Sequence, residues 1–301
     1  MKTLRIVENR KYFFILPICV ILTGLIFMIV NNATGRGVFN FDVEFSGGTS
    51  FLVDMGAKFN NDDVVSIVRE ITGQDAPQVQ KAGTGETQVM IKVRSLDQET
   101  RTALRDAFIQ RYGVSESDIT YSDVSPTVSA DMQRSATLAV VVACALMLVY
   151  ISIRFKDVKM GTAAIIALLH DAFIIISFYS ILRIPVNYSF IAVLLAMLGY
   201  SINATIIIFD RVRENKARQR KAGVVELVNT SVIQTLRRTI NTSVTTLAAI
   251  LFLYILGVPS IKEFSLPIII VIFFSGYSSM FLVGSFWCMF HGKKAMGINV
   301  K

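Results

Sequence analysis

Ala136-Thr137-Leu138-Ala139-Val140-Val141-Val142-Ala143-Cys144-Ala145-Leu146-Met147-Leu148-Val149-Tyr150-Ile151-Ser152-Ile153 runs without a single charged side chain. As an α-helix rising 1.5 Å per residue, such a run approaches the roughly 30 Å of a bilayer's hydrocarbon core. Five more stretches of this kind flank it, at Tyr12–Val30, Gly161–Leu182, Tyr188–Phe209, Ile240–Val258 and Leu266–Phe290. The reading that follows is an α-helical polytopic membrane protein with six transmembrane helices.

The whole chain agrees with that reading. Of 301 residues, 53% are hydrophobic and the mean hydropathy is +0.55, beyond the usual apolar share of a soluble domain. Lys and Arg cluster in alternate connections: four in residues 1–11, three in 154–159, eight in 210–238 and three after Phe290. The intervening short connections carry only Arg183 and Lys262. The positive-inside rule therefore predicts that both termini of this multi-pass protein lie in the cytoplasm. The net charge of +8 then signals orientation and attraction to anionic membrane lipids. Nucleic acid is not an expected partner, because the basic residues lack interleaved aromatics.

Between the first and second hydrophobic stretches lies a segment of mixed composition, 33–134, with ten Lys/Arg against fifteen Asp/Glu. We read it as a folded extracytoplasmic α+β domain with a modest core of its own. A β-like run over Phe41–Met55, interrupted at Ser46-Gly47-Gly48-Thr49, precedes a helix over Asn60–Thr72 behind the cap-like Asn60-Asn61. Val79–Ala82 and Gln88–Val93 flank Gly83-Thr84-Gly85 as a hairpin; a helix follows at Gln98–Tyr112 and a strand at Asp118–Val124. The order β-α-β-β-α-β is compatible with a ferredoxin-like sandwich. The expected organisation is 1 + 5: a cytoplasmic arm (1–11), helix 1 (12–31), the exported domain (33–134), a five-helix membrane domain (135–290) with a cytoplasmic connection (210–238), and a cytoplasmic tail (291–301). The first helix reads as an uncleaved anchor, since no small-residue cleavage site precedes Asn31-Asn32. Absence of a strong internal repeat suggests that a matching half comes from another polypeptide.

Chemistry-bearing residues are sparse. Cys19, Cys144 and Cys288 fall in separate hydrophobic stretches, so neither a disulfide framework nor a metal set is expected. No nucleophile–base pair, phosphate loop or metal-ligand spacing occurs, and neither enzymatic activity nor a cofactor is expected. His170-Asp171 lies near the middle of the third stretch, where ionisable groups face protein, water or a functional path. Asp210-Arg211 ends the fourth stretch; Arg237-Arg238 precedes the fifth, followed by Asn241-Thr242-Ser243 and Thr245-Thr246. Gly199, Ser201 and Asn203 are read as allowing close helix packing and interhelical hydrogen bonds, with Asn203 the more ambiguous. Gly47-Gly48 suits a bulge or tight turn; a contact with an emerging polypeptide is the alternative. The basic run Arg211–Lys221 is read as an interfacial segment.

Gly199-Tyr200-Ser201-Ile202-Asn203, followed by Ile206-Ile207-Ile208-Phe209-Asp210-Arg211-Val212-Arg213-Glu214-Asn215, resembles the fourth-span signature of the SecF family of protein-export membrane proteins. Further matches run in family order through Phe45-Ser46-Gly47-Gly48-Thr49, Val124-Ser125-Pro126-Thr127-Val128, Ala167-Leu168-Leu169-His170-Asp171, Gln234-Thr235-Leu236-Arg237-Arg238-Thr239 and Gly276-Tyr277-Ser278-Ser279. The resemblance covers almost the whole chain. It implies a subunit related to the RND transporters that works with SecD and a SecYEG-type channel on translocating preproteins, drawing on the proton gradient. YajC and a YidC-type insertase are further candidate partners.

In that family the residue after Asn203 is usually an Asp regarded as a proton carrier, whereas this chain has Ala204; Arg238, at a position associated with the proton route, is kept. Three readings stand. Asp171 takes over the protonatable role, the partner supplies the carboxylate, or the chain does not couple to protons. Burial disfavours a charged carboxylate and a nearby cation favours it, so Asp171 could load and release a proton; equally, His170 and Asp171 could simply hold the bundle together. Functionally, the alternatives to a proton-coupled accessory subunit are a non-transducing scaffold for SecD and the channel, and an RND-type small-molecule exporter half.

Overall fold

The computed structural model describes residues 5–74, 77–83, 85, 87–155, 157–219 and 221–291. The tail beyond 291, residues 1–4, and Thr84 of the expected hairpin turn lie outside them. The first long helix, α1 (Arg10–Ala33), leads to a two-residue strand β1 (Asn40–Phe41) and a short helix α2 (Val43–Ser46). The β-like run expected from Phe41 is thus corrected in its first half. Asp42 caps a helical turn by accepting from its neighbour Val43 N at 2.6 Å, and the domain's first strand, β2, spans Gly48–Asp54.

The small domain continues as α3 (Asn61–Thr72), β3 (Gln78–Ala82), β4 (Gln88–Val93), α4 (Gln98–Tyr112) and β5 (Ile119–Val124). Local chemistry sets the helix limits. Asn60 and Asp97 cap α3 and α4 by accepting from Asp62 N and Thr100 N, and Gly73 and Gly113 end them in the left-handed conformation. The sheet order is β3-β4-β2-β5, with β2 antiparallel to both β4 and β5 and β3 antiparallel to β4. That is the ferredoxin-like arrangement. Val64 and Val68 of α3 and Leu104 and Phe108 of α4 pack with Phe51, Val53, Val89, Ile91 and Val93 in the domain core.

The other sheet face meets the membrane bundle. Gln78 and Lys92 are register partners on that face. Gln78 donates to Asn40 Oδ1 at 2.7 Å and Lys92 to the fully buried Asp42 at 2.6 Å, while Gln80 donates to Glu263. A second, parallel pairing joins β1 to β6 (Pro185–Val186) in the turn after α6. Arg183, with φ of +53°, donates from the same turn to the carbonyls of Gly37 and Arg36 at 2.8 Å.

Five further membrane-length segments follow: α5 (Pro126–Arg154), α6 (Val158–Ile181), α7 (Tyr188–Arg218), α8 (Val224–Leu256), and α9 (Pro259–Ser278) continued by a π-turn (Ser279–Val283) and α10 (Gly284–Met289). With α1 they make six helical segments long and apolar enough to cross a membrane. Apolar runs and helices do not share limits. The helix of α5 begins at Pro126, capped by Ser125, and α7 and α8 extend through most of the connection expected at 210–238, because charged residues leave the lipid without ceasing to favour helix. About half of the apolar window is buried in α6 and in α9–α10, against 11% in α1 and α5 and 6% in α8. The centre of the bundle is therefore α6, α7 and α9, and α8 presents most of its apolar window outward.

Candidate functional site

Asp171 sits at the centre of that bundle, 3% exposed. Three side chains converge on it: Ser201 of α7 donates to Oδ2 at 2.6 Å, Ser278 at the end of α9 donates to the same oxygen at 3.0 Å, and His170 Nδ1 lies 2.9 Å from Oδ1. One carboxylate thus ties three helices. Ser278 immediately precedes the π-turn, a feature frequent at functional sites. Sequence reading singled out Ser201 but gave Ser278 no role; the pairing is tertiary, and only the Gly276–Ser279 motif marked the place.

Around this tie run further hydroxyls, half-buried or buried. Tyr200 donates to Ser243 of α8 at 2.9 Å and Asn215 to Ser231 at 2.8 Å, which fixes the antiparallel register of α7 and α8. Between those two pairs lie Thr205 and Thr239, whose buried hydroxyls have no protein hydrogen-bond partner; the same holds for Ser275 and Ser279. Groups of this kind are commonly satisfied by ordered water.

The remaining candidates lie elsewhere. Gly199 faces outward, and a Cβ there would meet nothing within 4 Å, so it mediates no close packing inside this chain, contrary to the expectation for it. Asn203 is exposed, whereas Ala204 is buried. Arg238 is exposed on α8 and has no side-chain partner among the described residues; the structure does not bring it to Asp171. Asp210 is paired with Arg154 of α5, and Arg211 bonds Gln234 of α8 at 2.6 Å and Glu214 at 2.5 Å, so both belong to a polar girdle at the end of the bundle away from the small domain. At that same end Asn229 accepts from Ile6 N and Val7 N at 3.1 Å and docks the N-terminal arm. Gly47 and Gly48, with φ of +73° and +150°, form the turn from α2 into β2, and a Cβ on Gly48 would stand 2.3 Å from the Val93 carbonyl oxygen. That requirement for glycine is structural.

A multi-pass bundle with a buried carboxylate–hydroxyl centre, carrying a ferredoxin-like domain after its first helix, is an α-helical polytopic membrane protein. Residues 105–293 match the family model described as "Protein export membrane protein SecD/SecF, C-terminal". The chain is 36% identical over 291 residues to the protein translocase subunit SecDF of Bacillus subtilis, covering 95% of this chain and 38% of that one. It is 32% identical over 274 residues to the protein translocase subunit SecF of Haemophilus influenzae, covering 91% of this chain and 82% of that one. A crystal structure of the translocon-associated membrane protein SecDF from Thermus thermophilus superposes with a TM-score of 0.80 at 30% identity, over 95% of this chain and 38% of that chain. The chain belongs to the SecD/SecF family of protein-export membrane proteins, in its SecF branch. It spans between 34% and 39% of the length of the SecDF proteins it matches.

Proposed function

We propose that this chain is an accessory subunit of the Sec translocase that works with SecD, beside a SecYEG-type channel, to promote export of preproteins across the bacterial cytoplasmic membrane. Relatives that bear the name SecDF and extend well beyond this chain support SecD as the missing half. The clustering of Lys and Arg in alternate connections supports an orientation with both termini in the cytoplasm and the ferredoxin-like domain outside. No covalent catalysis belongs to this reading; energy comes from the proton gradient.

The observation that carries the partnership is the outer face of α8. Arg238, Asn241, Thr242 and Thr245 recur at helical spacing and are all exposed, with Asn203 exposed on the neighbouring α7. The hydroxyls of Thr242 and Thr245 are satisfied by their own helix, but Arg238, Asn241 and Asn203 have no side-chain partner among the described residues. Arg238 stands at the boundary of an apolar stretch with exposed amides beside it, a surface that a partner bringing a carboxylate would complement. We therefore assign the protonatable group opposite Arg238 to SecD, and to Asp171 the role of a buried tie. A second reading, favoured by the three groups converging on Asp171, makes that carboxyl the proton carrier.

Co-isolation of the chain with SecD tests the partnership, and export into vesicles carrying both tests the coupling. Asp171→Asn separates the two readings: export that keeps its dependence on the proton gradient leaves Asp171 structural, and loss of that dependence transfers the role to it.

A further inference from the structure

Serine and threonine hydroxyls in long helices commonly fold back onto a carbonyl one turn earlier, as those of Thr235, Thr242, Thr245, Ser265 and Ser285 do here. Thr205 of α7, Thr239 of α8 and Ser279 at the start of the π-turn do not. Each is at most 4% exposed, and none of their hydroxyls has a protein partner among the described residues. Helix register brings the three to one level. Tyr200 meets Ser243, and Asn215 meets Ser231, across the antiparallel α7 and α8; Thr205 lies five residues past Tyr200 and Thr239 four residues before Ser243. On α9, an added Cβ at Gly276 would stand 3.1 Å from the Ser243 Oγ. Ser279, about one turn further along this third helix, is therefore level with Thr239. Ala204, also at that level, is buried and adds only a methyl group. The Asp171 centre is one turn away, because its donors Ser201 and Ser278 precede Thr205 by four residues and Ser279 by one.

A buried hydroxyl without a partner bears its full desolvation cost, so three at one level call for a shared ligand. That ligand must be small and must both donate and accept. It must also be neutral, because none of the three groups is charged and the Asp171 carboxylate is already held by Ser201, Ser278 and His170. Water meets these terms, with about three hydrogen bonds per buried molecule. We propose that Thr205, Thr239 and Ser279 bind ordered water that links the Asp171 centre to α8, the helix whose outer face carries Arg238. The inference rests on the packing of α7, α8 and α9, and not on what the subunit does in export.

Isosteric threonine-to-valine variants of the full chain, unfolded by SDS from mixed micelles, test the site. Thr205→Val and Thr239→Val should each raise the unfolding equilibrium constant about two- to tenfold, the worth of one hydrogen bond. Dry hydroxyls would make both changes neutral or stabilising, because valine has no polar group to desolvate, and that result overturns the proposal. The double variant should lose less than the product of the two single effects. Thr239→Val should couple in the same way to Asp171→Asn, although no protein hydrogen bond joins those residues. Thr245→Val, whose hydroxyl bonds its own helix on the outer face of α8, is the control expected to act independently of Asp171→Asn. Strictly multiplicative effects among Thr205, Thr239 and Asp171, or equal coupling in the control, overturn the link. Stabilisation of the parent chain by Na⁺ over K⁺ at equal ionic strength, lost in Thr205→Val, overturns water as the ligand in favour of a cation.

Discussion

Lys92 Nζ, on the sheet of the small domain, lies 2.6 Å from the Oδ2 of Asp42, which is fully buried where the chain leaves the membrane bundle. This ion pair fastens the sheet's open face to the clasp formed by β1 and α2. Removal of one member of such a pair leaves a buried charge uncompensated and costs about 3–5 kcal/mol. Lys92→Met is expected to lower the thermal unfolding midpoint in detergent and to speed protease cleavage near residue 40. The double variant Lys92→Met/Asp42→Leu should recover much of the loss.

Gly24 marks a second contact that admits no substitution. A Cβ there would stand 2.3 Å from the Cβ of Ser177 on α6, so at this point α1 and α6 meet at a distance that only glycine allows. Gly24→Val should destabilise by about 1–3 kcal/mol or displace the helix. Cysteine pairs across α1 and α6 would report it as a loss of crosslinking relative to the parent.

The Asp171 centre makes a graded prediction. Asn in place of Asp171 still accepts from Ser201 and Ser278, whereas Ala leaves both hydroxyls without their acceptor. Asp171→Ala should therefore be distinctly less stable than Asp171→Asn in a detergent melt. Ser201→Ala and Ser278→Ala should each cost about 0.5–1.5 kcal/mol, the usual net contribution of one intramolecular hydrogen bond. Equal stability of all four variants would remove the carboxylate from the packing of the bundle.

Acid should loosen the small domain at α4. Hydrogen bonds from the Thr100 side chain, and then its backbone N–H, hold the Asp97 carboxyl below the usual carboxylate range. Because its folded value is depressed, the cap's contribution is complete above the unfolded value of about 3.9 and declines as the pH falls through the lower, folded one. Amide exchange in the first turn of α4 should rise over that window, and Asp97→Asn, which caps without titrating, should flatten the response.

How much of this was readable from residues alone differs by element. The six apolar helices and the β-α-β-β-α-β order were, because burial in lipid or against a sheet imposes a composition and a period on contiguous residues. Caps such as Asn60 were readable for the same local reason. What escaped depends on residues far apart in the chain: the Ser278–Asp171 bond, the Lys92–Asp42 pair and the β1–β6 pairing join segments more than forty residues distant, and no local pattern encodes them. The extension of α7 to Arg218 was hidden because hydropathy reports where lipid ends, not where a helix does. Among the candidate residues, Asp171 stood out as a lone acid in an apolar run; that Arg238 faces away from it could be learned only from the packing.

The most direct test is export into vesicles containing this chain and SecD, at saturating ATP for the motor, before and after collapse of the proton gradient. The account predicts that collapse slows export, that Arg238→Gln abolishes this sensitivity, and that Asp171→Asn preserves it. Export indifferent to the gradient with the unaltered chain would contradict the account.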